Sequence, residues 1–283
     1  MDLQEAQEKI SYSRPLNINS ISISPNEIFK GTTVYFDFDD VVADLTTPWL
    51  DFINKEFNSN FTKKHVTEWG FFDKVASYVS PSNPSFTISE IKDSIFGFLD
   101  SDIYKSIKPN NSIIDVMKKL NDLGFNLKIL SAGLNVDKLL FIEKYLPFLE
   151  PQKSFIFSVD KSIVREGILI DDRKENCESF VDLCDISYSL MIKTFANSDA
   201  ITNKRISSHD VDNFDSIFNT IVDNSIDLFK RKTNLKHIIE SSSLSSYLPQ
   251  ADLDKLNGVT LTDVLDFINS KPEISNDIEL ITN

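Results

Sequence analysis

Apolar and polar positions change their rhythm along this chain, and the changes mark its elements. The run TTVYFDF (32–38) is apolar, aromatic and β-branched without interruption, which predicts a strand buried on both faces. Residues 48–60 switch to helical spacing, with Trp49, Leu50, Ile53 and Phe57 on one face. Residues 61–86 mix Trp69, Phe71, Phe72 and Tyr78 with Ser and Pro, and read as irregular. Thr87 followed by Glu90 is a capping-box pattern, and it opens a helix over 87–100 with Ile88, Ile91, Ile95 and Phe98 aligned. From residue 109 onward the alternation becomes regular. SIIDVMKKLNDLG predicts a helix ending at Gly124, FNLKILSAG a strand ending at Gly133, and 135–146 a helix stopped by Pro147. SFIFSVD, GILIDD and ISYSLMIK predict three more strands, and 211–223 predicts a helix.

Strands alternating with helices imply an α/β fold: a mostly parallel, Rossmann-like sheet with helices on both faces. Such sheets place their sites at the carboxyl ends of the strands. The two ends of the chain break the rhythm. Residues 1–30 are polar, with a weak SISIS alternation, Pro15 and Pro25, and predict an N-terminal extension. Residues 225–283 hold helical pieces joined by SSSLSSYLPQ and predict a helical C-terminal appendage with loose final residues. The division expected is therefore 1–30, 31–224 and 225–283.

Composition narrows the class. The 283 residues suffice for a sizeable core, and 41% hydrophobic with 25% charged residues is ordinary for a soluble globular protein. The formal charge of −14 disfavours nucleic-acid and anionic-membrane binding. The two cysteines, Cys177 and Cys184, are not spaced as CxxC, and three histidines complete no zinc framework with them. The polar first ten residues carry no signal-peptide pattern, and no apolar run reaches the ~18 residues of a membrane span. A cytoplasmic protein is expected. Few glycines beside many Phe, Asn, Ser and Ile suggest an A/T-rich genome, and a virus-encoded protein in a host cytoplasm fits that usage.

Four strand ends carry candidate chemistry. Asp37 and Asp39 follow the first strand, and residues two apart in an extended chain point the same way. Two carboxylates aimed at one point repel unless a cation or proton lies between them, and hard oxygen ligands suit Mg2+. Ser131 ends the second strand, Lys161 follows the third, and Asp171 and Asp172 end the fourth. Singly, each has an ordinary structural role: a solvated turn, a capping serine, a surface lysine, a helix start. Together, carboxylates, one hydroxyl and one lysine at successive strand ends form a metal-assisted phosphate site. The metal and lysine neutralise the ester, one carboxylate attacks phosphorus, and the other handles protons.

DFDDVVAD, ILSAG, VDK and ILIDDRKEN resemble the four motifs of the haloacid dehalogenase superfamily. VVAD after the aspartate pair, YKSIKPNNSIIDVMKKLNDLGFNLKILSA and DKSIVREGILIDDRKEN are closest to its 5′(3′)-deoxyribonucleotidase branch, over roughly 32–222. That resemblance implies Asp37 as nucleophile and metal ligand. It implies Asp39 as general acid/base with its backbone carbonyl on the metal, Ser131 and Lys161 on the phosphate, and Asp172 on the metal with Asp171 in support. A small helical cap would be inserted after the first strand, over about 45–108. Its aromatics would face the base, with Trp69, Phe71 and Phe72 as candidates, although core packing is the more ordinary role of such residues. The implied function is magnesium-dependent hydrolysis of nucleoside 5′-monophosphates. A phosphatase for another monoester, or a weakly active or inactive relative with a binding or structural role, is the alternative. A small-molecule nucleotide is the expected partner, without membrane or nucleic acid, and a homo-oligomer is left open. One position departs from the pattern: Asp40 stands where the family usually has glycine. Glycine there permits unusual backbone angles, which aspartate tolerates better than most residues.

Overall fold

The computed structural model describes residues 25–241, apart from 102, 134–135, 165, 183–186 and 199–201. Its centre is a six-stranded sheet of β1 (Thr33–Phe36), β4 (Asn126–Ser131), β5 (Phe155–Phe157), β6 (Gly167–Asp171), β7 (Ser187–Ile192) and β8 (Ile206–His209). The order is β5-β4-β1-β6-β7-β8, and every pairing is parallel. A second, two-stranded antiparallel sheet joins β2 (Ala43–Asp44) to β3 (Lys108–Pro109).

Burial explains why the inner strands read as continuous apolar runs. Every residue of β6 and β7 is buried. Ile168, Ile170, Leu190 and Ile192 face one side, where they meet Ile113, Val116, Met117 and Leu120 of helix Asn111–Asp122 and Ile217, Phe218, Ile221 and Val222 of helix Phe214–Ser241. Leu169 and Met191 face the other side, against Cys177, Phe180 and Val181 of helix Lys174–Asp182. The period of two along each strand thus fills both faces. Gly167 begins β6 with φ 122°, and a Cβ there would lie 2.4 Å from the Thr33 carbonyl oxygen of β1. Only glycine allows the two strands this approach.

A second core belongs to the segment between β2 and β3. Trp49, Leu50, Ile53 and Phe57 of helix Thr46–Phe57 pack with Ile91, Ile95 and Ile103 and with the buried face of helix Phe71–Val79. The stretch 61–86, expected to be irregular, holds that helix and two short 3-10 turns, Lys63–His65 and Ser80–Ser82. Phe71, Val75, Ala76 and Val79 are its buried positions, too few turns to stand out among serines and prolines.

The chain ends also differ from expectation. Helix Pro25–Lys30 lies within the expected extension, yet Ile28 and Phe29 are in the main core, and Phe29 stacks on Phe125 at 4.7 Å. Helix Phe214–Ser241 runs without a break through position 225, with Ser225 and Leu228 buried and Lys232 paired with Glu166. Polar residues such as Asn224 and Ser225 suggested a boundary, but the buried serine donates to the Val222 carbonyl at 2.7 Å and the helix continues. Residues 1–24 and 242–283, with most of both expected extensions, lie outside the described residues. Strand β8 was not anticipated, since ISSH at a sheet edge offers only two buried positions. Among the described residues, no helix is long and apolar enough to cross a membrane.

Candidate active site

The carboxyl ends of β1, β4 and β6, with the loop after β5, converge on one point. Asp37 continues β1 by donating its N–H to the Ile170 carbonyl at 2.8 Å. Its carboxylate is 7% exposed, and Oδ1 accepts from the Phe38 N–H at 2.8 Å. Lys161 sits in a 3-10 turn, Lys161–Ile163, whose start is capped by Asp160. The buried Lys161 ammonium donates to Asp37 Oδ1 at 2.6 Å and to the Leu130 carbonyl, and lies 3.2 Å from Asp171 Oδ2. Asp171 is further fixed by the Arg173 N–H at 2.9 Å and by Asn176 Nδ2 at 3.0 Å. Asp172 is buried beside it, its carbonyl held by Asn197 Nδ2 at 2.6 Å.

Carboxylate oxygens of Asp37, Asp171 and Asp172 all lie within 4.8 Å of one another. Among the described residues, Lys161 is the cation paired with this cluster. Burial, then Asp171, pushes the Asp37 carboxyl up to about 7. Burial, followed by Asp171, Asp40 and Asp37, raises Asp172 well above the carboxylate range. Burial alone would lower the Lys161 ammonium, but Asp37 and Asp171 outweigh it and hold it above the usual lysine value. Three buried oxygen donors around one point, starved of positive charge, fit a hard divalent cation.

Asp39 lies to one side of that triad. Its Oδ2 accepts from Lys138 Nζ at 2.6 Å, and its Oδ1 accepts from the Tyr104 hydroxyl at 3.3 Å. Lys138 also donates to Ser131 Oγ at 2.9 Å. Sequence reasoning missed Lys138. It is fully buried, with the rings of Tyr104 and Phe38 at 5.0 and 5.1 Å from its ammonium. A signal was available: Lys138 falls three and four positions before Phe141 and Ile142, on the buried face of helix Val136–Tyr145. Gly133 makes room for it, since a Cβ there would lie 3.2 Å from the Lys138 nitrogen.

Asp40 adopts the left-handed conformation, φ 57°, that glycine would take. Its carboxylate accepts from the Leu45 and Thr46 N–H groups and the Thr46 hydroxyl, close enough to Asp172 to raise that carboxyl. Burial first of all raises its carboxyl to about 6.

Of the aromatic candidates, Trp69 and Phe72 line a cleft of about 300 Å³ that also contains Asp37, Asp39, Lys161 and Asp172. Trp69 is 37% exposed, with the Arg173 guanidinium 5.3 Å from its ring centre. Phe72 stacks on Trp49 at 3.6 Å. Phe71 does not reach the cleft: it is 4% exposed and packs edge-on against Phe61 inside the second core. Trp49, read as a core residue, is buried and also forms part of the cleft wall.

A parallel sheet with acidic strand ends, a buried lysine beyond the third strand in sequence, and a helical cap leaving after the first strand define a haloacid dehalogenase-like phosphohydrolase. Residues 31–221 match the family described as 5′ nucleotidase, deoxy (pyrimidine), cytosolic type C, and the chain belongs to that family. It is thereby a phosphoric monoester hydrolase of the 5′-nucleotidase type. A 5′(3′)-deoxyribonucleotidase of Bacillus subtilis is 24% identical over 151 residues, spanning 52% of this chain and 79% of the relative. The 5′(3′)-deoxyribonucleotidase of Bacillus phage SPbeta matches with the same identity and coverage. Among solved structures, a haloacid dehalogenase-like hydrolase of Streptococcus pneumoniae matches with a TM-score of 0.45 at 14% identity, over 66% of this chain and 98% of that one.

Proposed function

We propose that this enzyme hydrolyses deoxyribonucleoside 5′-monophosphates with Mg2+, through an aspartyl-phosphate on Asp37. The observation that carries the proposal is the convergence of Asp37, Asp171 and Asp172 within 4.8 Å, beside a lysine 2.6 Å from Asp37. Asp37, Asp172 and the Asp39 backbone carbonyl would hold the ion, with Asp171 in support. When bound, it supplies positive charge that neutralises the phosphate and the surrounding carboxylates.

The chain's own groups do the rest. One Asp37 carboxylate oxygen attacks phosphorus as the ester bond to the nucleoside oxygen breaks. Asp39 gives that leaving oxygen a proton, then takes one from the water that cleaves the aspartyl-phosphate. Lys161 offsets charge on the transferring phosphoryl group. Ser131 accepts a hydrogen bond from Lys138, which leaves its own hydroxyl proton free for a phosphate oxygen. Lys138 holds the Asp39 carboxylate in reach of the scissile bond. Trp69 and Phe72 offer ring faces to the base. Asp40 is engaged with the cap and so leaves the triad its own composition. We take the catalytic unit to include helices Pro25–Lys30 and Phe214–Ser241, and the cap to span about 45–108.

Purified protein with Mg2+ should release inorganic phosphate from deoxyribonucleoside 5′-monophosphates faster than from sugar phosphates. Asp37→Asn should lower that rate by about 10⁴-fold or more while the protein stays folded. A folded wild-type protein that releases no phosphate from any nucleotide would overturn the proposal, and faster turnover of a sugar phosphate would reassign the substrate.

A further inference from the structure

The first cap helix takes its N-terminal caps from two aspartates that precede it, and one of them, Asp44, accepts from the Thr47 N–H at 3.1 Å and from the Thr47 hydroxyl at 2.7 Å. Helix Thr46–Phe57 has Leu45 at its N-cap position, with no side-chain bond from that residue and no acidic residue in its first turn. A helix start leaves several N–H groups without intrahelical partners, and leucine satisfies none of them. Here they are satisfied from outside the helix. Asp40 Oδ1 accepts from the Leu45 N–H at 3.0 Å and the Thr46 N–H at 2.9 Å, and Asp40 Oδ2 accepts from the Thr46 hydroxyl at 2.7 Å. The negative charge also suits the positive end of the helix.

Asp40 itself belongs to the catalytic turn. It lies three residues after Asp37 and one after Asp39, and its N–H donates to the Ala43 carbonyl at 2.7 Å. The Val42 and Ala43 N–H groups donate back to the Asp37 and Phe38 carbonyls at 3.3 and 2.9 Å, closing the turn. The left-handed φ of 57° is what swings the carboxylate out of this turn and over the helix start. On the far side, Asn110 Nδ2 donates to the Val41 carbonyl at 2.7 Å, so the segment returning from the cap is tied to the same turn.

We infer that Asp40 is a positioning residue: it ties the turn carrying the nucleophile to the first cap helix and so sets where the cap's aromatic wall stands over the phosphate site. The consequence follows along that helix. Trp49 lies one turn after Thr46, lines the cleft, and carries Phe72 stacked on its ring. Releasing Leu45 and Thr46, with Thr47 still held by Asp44, therefore lets the wall that receives the nucleoside shift against the catalytic turn, while the triad, Lys161 and Lys138 keep their partners. The substrate half of this inference rests on the nucleotidase reading above; the tether does not.

Two measurements separate them. Asp40→Gly removes the carboxylate and fits the left-handed backbone without strain, so it tests the tether with the fold intact. Asp40→Asn keeps one acceptor oxygen and tolerates the same angle. Hydrogen exchange on the wild-type and variant proteins needs no activity. In Asp40→Gly the Leu45 and Thr46 amides should exchange about tenfold faster, and in Asp40→Asn within about threefold of wild type. With thymidine 5′-monophosphate and Mg2+, Asp40→Gly should raise KM about tenfold with kcat changed less than about threefold, and Asp40→Asn should restore most of the KM. Thr46→Ala should shift KM the same way by a smaller factor.

Unchanged exchange at Leu45 and Thr46 overturns the tether. A loss of kcat at constant KM, equal in Asp40→Gly and Asp40→Asn, assigns the carboxylate to the chemistry and overturns the positioning role. If the wild-type protein hydrolyses no nucleotide but exchange accelerates in Asp40→Gly, the tether stands and the nucleotidase reading fails alone.

Discussion

The two aspartates of the first strand end live in opposite electrostatic company. Asp37 shares its space with Asp171 and Asp172, against the single ammonium of Lys161. Asp39, two residues on, is met by an ammonium and a phenol: Lys138 at 2.6 Å, which also donates to Ser131, and Tyr104 at 3.3 Å. In the first group burial and mutual repulsion push the Asp37 and Asp172 carboxyls up; in the second an ammonium and a hydroxyl face the carboxylate. The difference teaches how one strand end serves two tasks. Under the proposed mechanism, the surplus of negative charge suits a cation, and the paired carboxylate is held in place to carry a proton.

Changes on each side should therefore move stability in opposite directions. After the loss expected for Asp37→Asn, Asp172→Asn should cost the most in activity, about 10³-fold, by removing a metal-holding oxygen. The same change relieves repulsion, so the metal-free protein should melt higher than wild type in calorimetry. Lys138→Met should lower kcat about 100-fold, the scale of a misplaced general acid. It should also lower the melting temperature, because Asp39 and Ser131 lose their donor. If both variants shift the melting temperature the same way, the contrast between the two sides is wrong.

Acidity gives a smaller effect of definite sign. The folded-state Asp37 carboxyl titrates near 7 and Asp172 well above its ordinary value, while the unfolded chain titrates near 4. Between those values the folded protein holds the extra protons. Stability of the metal-free protein should therefore fall as pH rises from about 4 to 7, by about 1.4 kcal/mol per unit for each of these two carboxyls. Saturating Mg2+ should flatten that slope, since the ion replaces the protons. The smallest effect is expected at the rim: Trp69→Ala should raise the nucleotide KM about fivefold, the low end of a lost base stack. Phe71→Ala, two residues away, should leave KM nearly unchanged in protein that folds, because its ring faces the cap core.

What was legible in the sequence follows the same division. Asp37, Asp39, Ser131, Lys161, Asp171 and Asp172 could be read because a parallel sheet delivers its strand ends to one edge, so order along the chain becomes proximity in space. Lys138 could not be read that way, since it reaches the site from a helix face, and a lysine in an apolar stripe looks like a surface residue. Phe71 and Phe72 are neighbours in sequence on helix Phe71–Val79, but about 100° apart around its axis, and only the fold decides which one meets the cleft. Helix Pro25–Lys30 was hidden because it is short and Ile28 and Phe29, which join it to the core, stand as a lone apolar pair in a polar stretch. Asp40 looked like a defect while its neighbours were only a string of letters. Its partners, Leu45 and Thr46, lie five and six residues on, a spacing that no local pattern flags.

The small sheet of β2 and β3 has a consequence for descent and design. Ala43 pairs with Pro109 and Asp44 with Lys108, so the chain leaves for the cap and returns from it side by side. Everything between is a loop whose ends already meet, with its own apolar centre. Such a segment is interchangeable away from its two ends: lengthened, trimmed or replaced between them, with the Thr46 contact to Asp40 and the Tyr104 contact to Asp39 kept, it would leave the parallel sheet and its acidic edge intact. Substrate choice and bond-breaking can then change at different rates in the same lineage, and a grafting experiment should cut at Asp44 and Lys108.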